Sequence, residues 1–318
     1  MHFVIRRIGA GLAALFLVSV FSFLAFSVIP GDPASMMLGI NATDGQVAAL
    51  REEMGLNRSL PDRYFRWLGG FLGGNPGNSL RYTGEGISTL ILDRLPVSFF
   101  LALLSIFFIL IIAVPVSLFT VRCENSLAGR AVTVGTAIGV SIPNFFLGVL
   151  FIWIFGIGLR LFSAGTYVGY RENFFAFIGC LLFPALAIAV PNAAILTKFL
   201  RSSLFRELRS GYVRTALGKG AAPAVALRRH ALRNALVPSV TVLGIIIADV
   251  FSGSIVIEQV FAIPGLGRLL IAAITSRDYP LIQALVMYTA CIVILVNTLV
   301  DIAIQIIDPR IRLEREAH

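Results

Sequence analysis

Six stretches of this chain are long and apolar enough to cross a hydrocarbon core, which takes roughly 20 residues of helix. They run from Ile8 to Ile29, Pro96 to Val121, Ala131 to Leu159, Phe174 to Thr197, Ala235 to Ile257 and Pro280 to Ile307. Asp249 and Asp301 are the formal charges inside them. Lipid offers backbone polar groups no partners, and these runs lack the strict alternation of a barrel strand, so each must satisfy itself as a helix. The chain is therefore expected to be an all-α polytopic membrane protein with six transmembrane helices. Its 14% of charged residues agrees, against about a quarter in soluble domains.

Lys and Arg set the orientation, because basic loops resist translocation. The larger share of the 26 basic residues falls on one side. They lie at Arg6 and Arg7, at Arg122 and Arg130, between Lys198 and Arg233, and at Arg310, Arg312 and Arg315. Both termini and the Lys198–Arg233 stretch are thus expected in the cytoplasm. The net charge of +9 reflects this topology. Nucleic acid is not an expected partner, since the basic stretch lacks interleaved aromatic residues. Cys123, Cys180 and Cys291 are too scattered for a disulfide framework. The first span resembles a signal peptide with Arg6 and Arg7 before it, but its apolar length favours a retained helix.

Two parts are expected: residues 1–95, the first span with a long outer loop, and residues 96–318, a five-helix core. The outer loop reads as two short helices. Thr43, with Gln46 three residues on, opens one that ends near Gly55, and Pro61 opens the other. The second places Tyr64, Trp67, Leu68 and Phe71 on one face, the spacing of a helix resting on a bilayer surface or offered to an external partner. Pro115, Pro143, Pro184, Pro191 and Pro238 each remove a helix hydrogen bond and are expected to kink or break their spans. Gly135 and Gly139 form a GxxxG pair suited to close helix approach.

The cytoplasmic stretch 198–238 is too long for an idle turn. Its order Arg214, Thr215, Ala216, three residues, Gly220, nine residues, His230, Ala231, Leu232 resembles the EAA loop of ABC importer permeases, with Arg214 in place of Glu, His230 in place of Ile and Arg233 in place of Pro. YVRTA, Lys219 with Gly220, and HALRNALVP are similar to the version found in the dipeptide, oligopeptide and nickel permease subfamily. Further motifs agree in order: GDPA at 31–34, GLNRSLPDRYFRWLGG at 55–70, GNSL at 77–80, PGLGRLL at 264–270, RDYPLIQ at 277–283 and DPRIR at 308–312. The resemblance runs nearly end to end, and the chain is identified as a member of that subfamily, as the first of its two permease subunits.

The resemblance implies the type I importer permease fold in a bacterial inner membrane. Its implied partners are a second, homologous permease subunit forming a heterodimer, two cytoplasmic ATP-binding subunits, and a periplasmic or lipid-anchored substrate-binding protein. The EAA-like segment would form a coupling helix in a cleft of an ATP-binding subunit, with Gly220 turning the chain sharply after it. Arg214, Thr215, Ala216, Lys219, Gly220 and His230 are the candidate coupling residues. The implied cargo is a di- or oligopeptide, with nickel or another small solute as the alternative.

No cofactor is expected. Gly218 and Lys219 resemble the end of a P-loop, but Val213 stands at its first glycine and Gly220 at its Ser or Thr, so ATP would be hydrolysed by partner subunits and the chain is not an enzyme by itself. His2, His230 and His318 lack metal-ligand spacing. Ionisable residues inside a membrane cost roughly 2.5 to 3.5 kcal/mol at a helix centre, so they tend to face a wet cavity. Asp249, with Ser252 and Gly253 a turn away, is the pathway candidate. Asn297, Asp301 and Gln305 form a second polar stripe, suited to interhelical hydrogen bonds. A stand-alone, ion-driven transporter is the competing class; it leaves the basic loop unexplained.

Overall fold

The computed structural model describes residues 2–28, 33–38, 42–53, 55–82 and 84–307. The DPRIR motif lies outside these, as does part of GDPA. The described elements are helices, with one isolated bridge between Asn78 and Gly86. They are α1 (His2–Val28), α2 (Pro33–Leu38), α3 (Asp44–Glu53), α4 (Leu60–Leu72), α5 (Ile87–Arg122), α6 (Leu127–Ser141) and α7 (Asn144–Phe151). There follow α8 (Phe174–Leu208), α9 (Gly211–Gly218), α10 (Pro223–Val225), α11 (Leu232–Val260), α12 (Leu266–Thr275) and α13 (Tyr279–Ile307). Two π-helical segments intervene, at Ile152–Gly158 and Ala226–Ala231.

Among the described residues five runs are long and apolar enough to cross a membrane: Ile5–Ser27, Ile87–Arg122, Phe174–Leu208, Pro223–Val260 and Tyr279–Ile302. The sixth is broken. α6 and the α7 segment together pass the same test but bend by 104° between them. The cause is Pro143, which forces Ile142 before it into extended backbone (φ −87°, ψ 123°) and so ends α6. Pro115, Pro184, Pro191 and Pro238 break nothing; each lies within a continuous helix. Pro184 and Pro191 are buried in α8, where packing on several sides offsets one lost hydrogen bond apiece.

Packing divides the chain into two compact units, Met1–Pro96 with Pro264–Leu295, and Val97–Ile263 with Val296–His318. In the first, the start of α5 (Ile87, Leu90, Ile91) packs with Leu269 and Ala273 of α12 and Leu281 and Leu285 of α13. Thr43 caps α3 reciprocally with Gln46: the Gln46 amide donates to Thr43 Oγ1 at 3.4 Å and the Thr43 amide to Gln46 Oε1 at 3.0 Å. On α4, Tyr64 and Trp67 meet Phe23 of α1, with ring centroids 5.4 and 6.0 Å apart, and Phe71 meets Tyr288 of α13 at 4.9 Å. The aromatic face expected to lie on the bilayer or meet a partner is thus occupied within the chain.

The buried carboxylate of Asp278 ties two of the sequence motifs together. It accepts from Ser79 Oγ of GNSL, from the Arg81 amide at 3.1 Å, and from the Leu281 amide at 3.3 Å, which caps α13. The Tyr82 amide then donates to Ser79 Oγ at 2.9 Å, completing the turn.

In the second unit α8 is the axis. Its small residues Ala185, Ala187, Ala189 and Ala193 are buried and let neighbours close in around Phe177, Leu181 and Ile188. Gly139 is one such contact, since a Cβ there would sit 3.0 Å from Ala194 Cβ, whereas Gly135 faces open space. The GxxxG pair therefore acts through one glycine.

Candidate coupling surface and transport face

The stretch 198–238 is almost wholly helical. α8 continues past its apolar part to Leu208, because Lys and Arg are good helix formers and a charge does not end a helix. A tight turn follows. The Ser210 hydroxyl donates to the Glu207 carbonyl, and the Arg214 amide donates to the Ser210 carbonyl at 3.2 Å as α9 begins.

α9 is seated by one side chain. Val213 is 0% exposed, packed in a cluster with Leu200 and Leu204 of α8, Ala226, Leu227 and Ala231 of the π-helical segment, and Ala235 of α11. Burying a valine fully contributes about 1.5 to 3 kcal/mol, enough to hold an eight-residue helix in one orientation. The opposite side is open: Tyr212, Arg214, Thr215, Leu217, Gly218 and Lys219 are exposed. Tyr212 donates its hydroxyl to Glu207 Oε2 at 2.5 Å. Its phenol is held above the ordinary range, chiefly by partial desolvation on the side turned to the protein, with Glu207 adding to the shift. Thr215 Oγ1 is engaged with the Gly211 carbonyl at 2.9 Å.

Gly220 closes α9. The Ala221 amide reaches back to the Ala216 carbonyl at 3.1 Å and the Gly220 amide to the Leu217 carbonyl at 2.9 Å, the paired bonds of a Schellman motif. This requires left-handed backbone at Gly220, whose φ is +88°. Of the expected coupling residues, Arg214, Thr215, Lys219 and Gly220 share the exposed surface. Ala216 is half-buried, and His230 is half-buried in the π-helical segment that underlies α9.

A cavity of about 870 Å³ opens between α6, α8 and the end of α5. Lys198, Arg201, Arg206 and Arg209 line it, opposed by Glu124. Among the described residues none of the four cations forms an ion pair. Arg201 is held by its bond to Thr133 Oγ1 at 2.9 Å and by the Phe205 ring, 5.4 Å from its guanidinium carbon. The sequence reading assigned these cations to topology; that they share one cavity depends on α6 lying beside α8.

On α11, Ile245, Asp249, Ser252 and Val256 are exposed at helical spacing, so the described residues of its unit leave one face of a membrane-length helix uncovered. Asp249 and Ser252 both lie on it. Gly253 is half-buried instead, since a Cβ there would come 3.1 Å from Asn144 Nδ2. One carboxylate escaped the sequence reading. α11 runs three residues past the expected end at Ile257, and this carries Glu258, 0% exposed, into the interior, where Ser98 Oγ donates to its Oε1 at 2.6 Å. Its setting in the apolar run IVIEQVF was the available signal.

These features define a class: a polytopic membrane protein that carries a firmly seated surface helix with cationic residues beside a membrane helix bearing an uncovered carboxylate. The chain belongs to the family of binding-protein-dependent transport system inner membrane components, whose model matches residues 113–313, and the companion N-terminal family matches residues 1–102. It is thus a multi-pass protein of the bacterial inner membrane and a transport subunit. It is 36% identical to a probable peptide ABC transporter permease protein of Sinorhizobium fredii, over 98% of this chain and 99% of the relative. It is 34% identical to the oligopeptide transport system permease protein AppB of Bacillus subtilis, over 97% and 98%. A putative peptide permease protein of Brucella ovis is 33% identical, over 98% and 99%.

Proposed function

We propose that this chain is one of two homologous permease subunits of an ATP-binding-cassette importer, forms half of the path for di- or oligopeptides, and takes its power from two cytoplasmic ATP-binding subunits. The observation that carries this reading is α9: a short helix pinned on one side by Val213, presenting Arg214, Leu217 and Lys219 on the other, and closed by Gly220. A helix so seated transmits a push instead of deflecting, because its buried face joins it to the ends of both α8 and α11. The nucleotide chemistry then belongs to the partners, and a substrate-binding protein delivers cargo from outside. The peptide names of the relatives support the cargo assignment.

The uncovered face of α11 supports a pathway role for Asp249 and Ser252. A carboxylate facing hydrocarbon is costly, and a wet passage shared with the second permease subunit removes that cost. There the carboxylate attracts the ammonium end of a peptide.

The test is reconstitution into vesicles with and without the ATP-binding subunits, the second permease and the binding protein, with peptide and nickel uptake followed in parallel. ATP-dependent peptide uptake by the full set alone is expected. Transport by this chain by itself would end the reading, and uptake of nickel but not peptide would overturn the cargo.

A further inference from the structure

Four cations share one wall of the cavity between α6 and α8. Lys198, Arg201, Arg206 and Arg209 fall on one face of α8 and its cap, over about 16 Å of helix. The facing wall is α6, which sets Thr133, Thr136, Ala137 and Val140 one above another.

The charge in this lining is unbalanced. Glu124 is the single carboxylate among the described lining residues, and among the described residues no carboxylate comes within 4 Å of any of the four cations. Glu207, the acid of α8 itself, is taken by the Tyr212 hydroxyl. Arg201 is already oriented for a ligand. It is half-buried, one guanidinium nitrogen is fixed by Thr133 Oγ1 at 2.9 Å, and the Phe205 ring lies 5.4 Å from its guanidinium carbon. Both of these partners are neutral. The remaining N–H groups of Arg201 have no acceptor among the described residues and keep accessible surface. Lys198, Arg206 and Arg209 are exposed, so their charges can close on the same anion.

We propose that this cavity holds the headgroup of an anionic phospholipid. Depth selects a lipid over a soluble anion. The apolar part of α8, from Phe174 to Thr197, is about 36 Å of helix and fills a hydrocarbon core of roughly 30 Å, which sets Lys198 and Arg201 where headgroup phosphates lie. Beside them Val134, Ile138 and Val140 of α6 and Phe199 of α8 are exposed, an apolar rim that suits acyl chains. Basic pockets between membrane helices at this level take charged headgroups, and four cations against one carboxylate favour a net negative lipid over a zwitterion. The Ser210 turn leads from this end of α8 into α9, so a bound headgroup steadies the base of the coupling helix. That consequence rests on the function proposed above, whereas the binding itself does not.

The experiment uses the full chain, purified with its partner subunits, stripped of lipid in detergent and titrated with phosphatidylglycerol, cardiolipin and phosphatidylethanolamine by native mass spectrometry. The two anionic lipids are expected to bind about tenfold or more tighter than phosphatidylethanolamine. K198Q/R201Q removes two cations, and S202E sets a carboxylate among the four at an exposed position that makes no described side-chain bond. Each is expected to weaken phosphatidylglycerol binding about tenfold or more. K198R/R201K keeps the charge and is expected to retain most of the binding, and circular dichroism confirms that each variant folds. Equal phosphatidylglycerol affinity in wild type, K198Q/R201Q and S202E would overturn the proposal, as would equally tight binding of phosphatidylethanolamine. So would displacement of the lipid by millimolar inorganic phosphate, which marks a soluble-anion site, or by a dipeptide, which marks the cargo path. Lipid affinity is read without ATP or cargo, so its loss and a failure of the transport reading are told apart.

Discussion

Gly220 offers the sharpest test of the coupling geometry. At φ +88° an L-residue is strained by roughly 1 to 2 kcal/mol. Nothing lies within 4 Å of the position a Cβ would take, so the Cβ itself meets no clash and its cost is strain in the backbone. If the chain relieves that strain by leaving the left-handed region, it loses the Ala221 and Gly220 amide bonds that close α9, each worth about 0.5 to 1.5 kcal/mol. The chain takes whichever route costs less, so the competent orientation of α9 is disfavoured by up to about 1 to 2 kcal/mol, a factor of roughly 5 to 30 in population. G220V is therefore expected to lower peptide uptake per ATP hydrolysed by about that factor, while membrane insertion stays normal. G220N should retain most of the coupling, because Asn tolerates left-handed backbone. The assay is simultaneous uptake and phosphate release in proteoliposomes carrying all subunits. Unchanged stoichiometry in G220V would refute the reasoning, and so would equal damage from Asn and Val.

Other perturbations probe other joints. D278A removes the acceptor for Ser79 Oγ and the Arg81 and Leu281 amides, and should cost about 3 kcal/mol or more, read as a lower Tm in detergent; an unchanged Tm would show that the two motifs are held some other way. A262G relieves a non-glycine residue at φ +56° after α11 and is expected to stabilise by about 1 kcal/mol, whereas a fall in Tm would assign that turn to side-chain packing. S98A deletes a hydrogen bond to the buried Glu258 and should destabilise by about 1.5 to 3 kcal/mol in chemical unfolding, with no loss expected only if Ser98 were dispensable to that carboxylate. D249N removes an attraction of about 1 kcal/mol for a cation at 4 Å and should cut peptide uptake about fivefold with ATP-binding partners still attached. Intact uptake would remove Asp249 from the pathway.

The membrane helices were legible because apolar runs of that length have one stable form in lipid, and so were the Thr43 cap, the helix opened by Pro61 and the glycine that closes α9. These are local events, decided by a few neighbouring residues and the solvent around them. The family was legible too, since its motifs are strings of adjacent residues. What the sequence left open depends on partners far along the chain. Of the five prolines expected to kink or break their spans, only Pro143 breaks its helix; Pro184 and Pro191 stay in line where they are buried and Pro115 and Pro238 stay in line where they are exposed, a difference that no local rule reports. The Tyr64, Trp67 and Phe71 face looks the same in sequence whether it meets lipid or Phe23 and Tyr288. Glu258 lay one residue beyond the apolar run and became an interior carboxylate when α11 continued past it. Asp278, Ser79 and Arg81, some 200 residues apart in the chain, became one hydrogen-bonded knot. Periodicity and capping act over a few residues and can be read in order; contacts between distant segments are chosen by packing, which only the folded chain expresses.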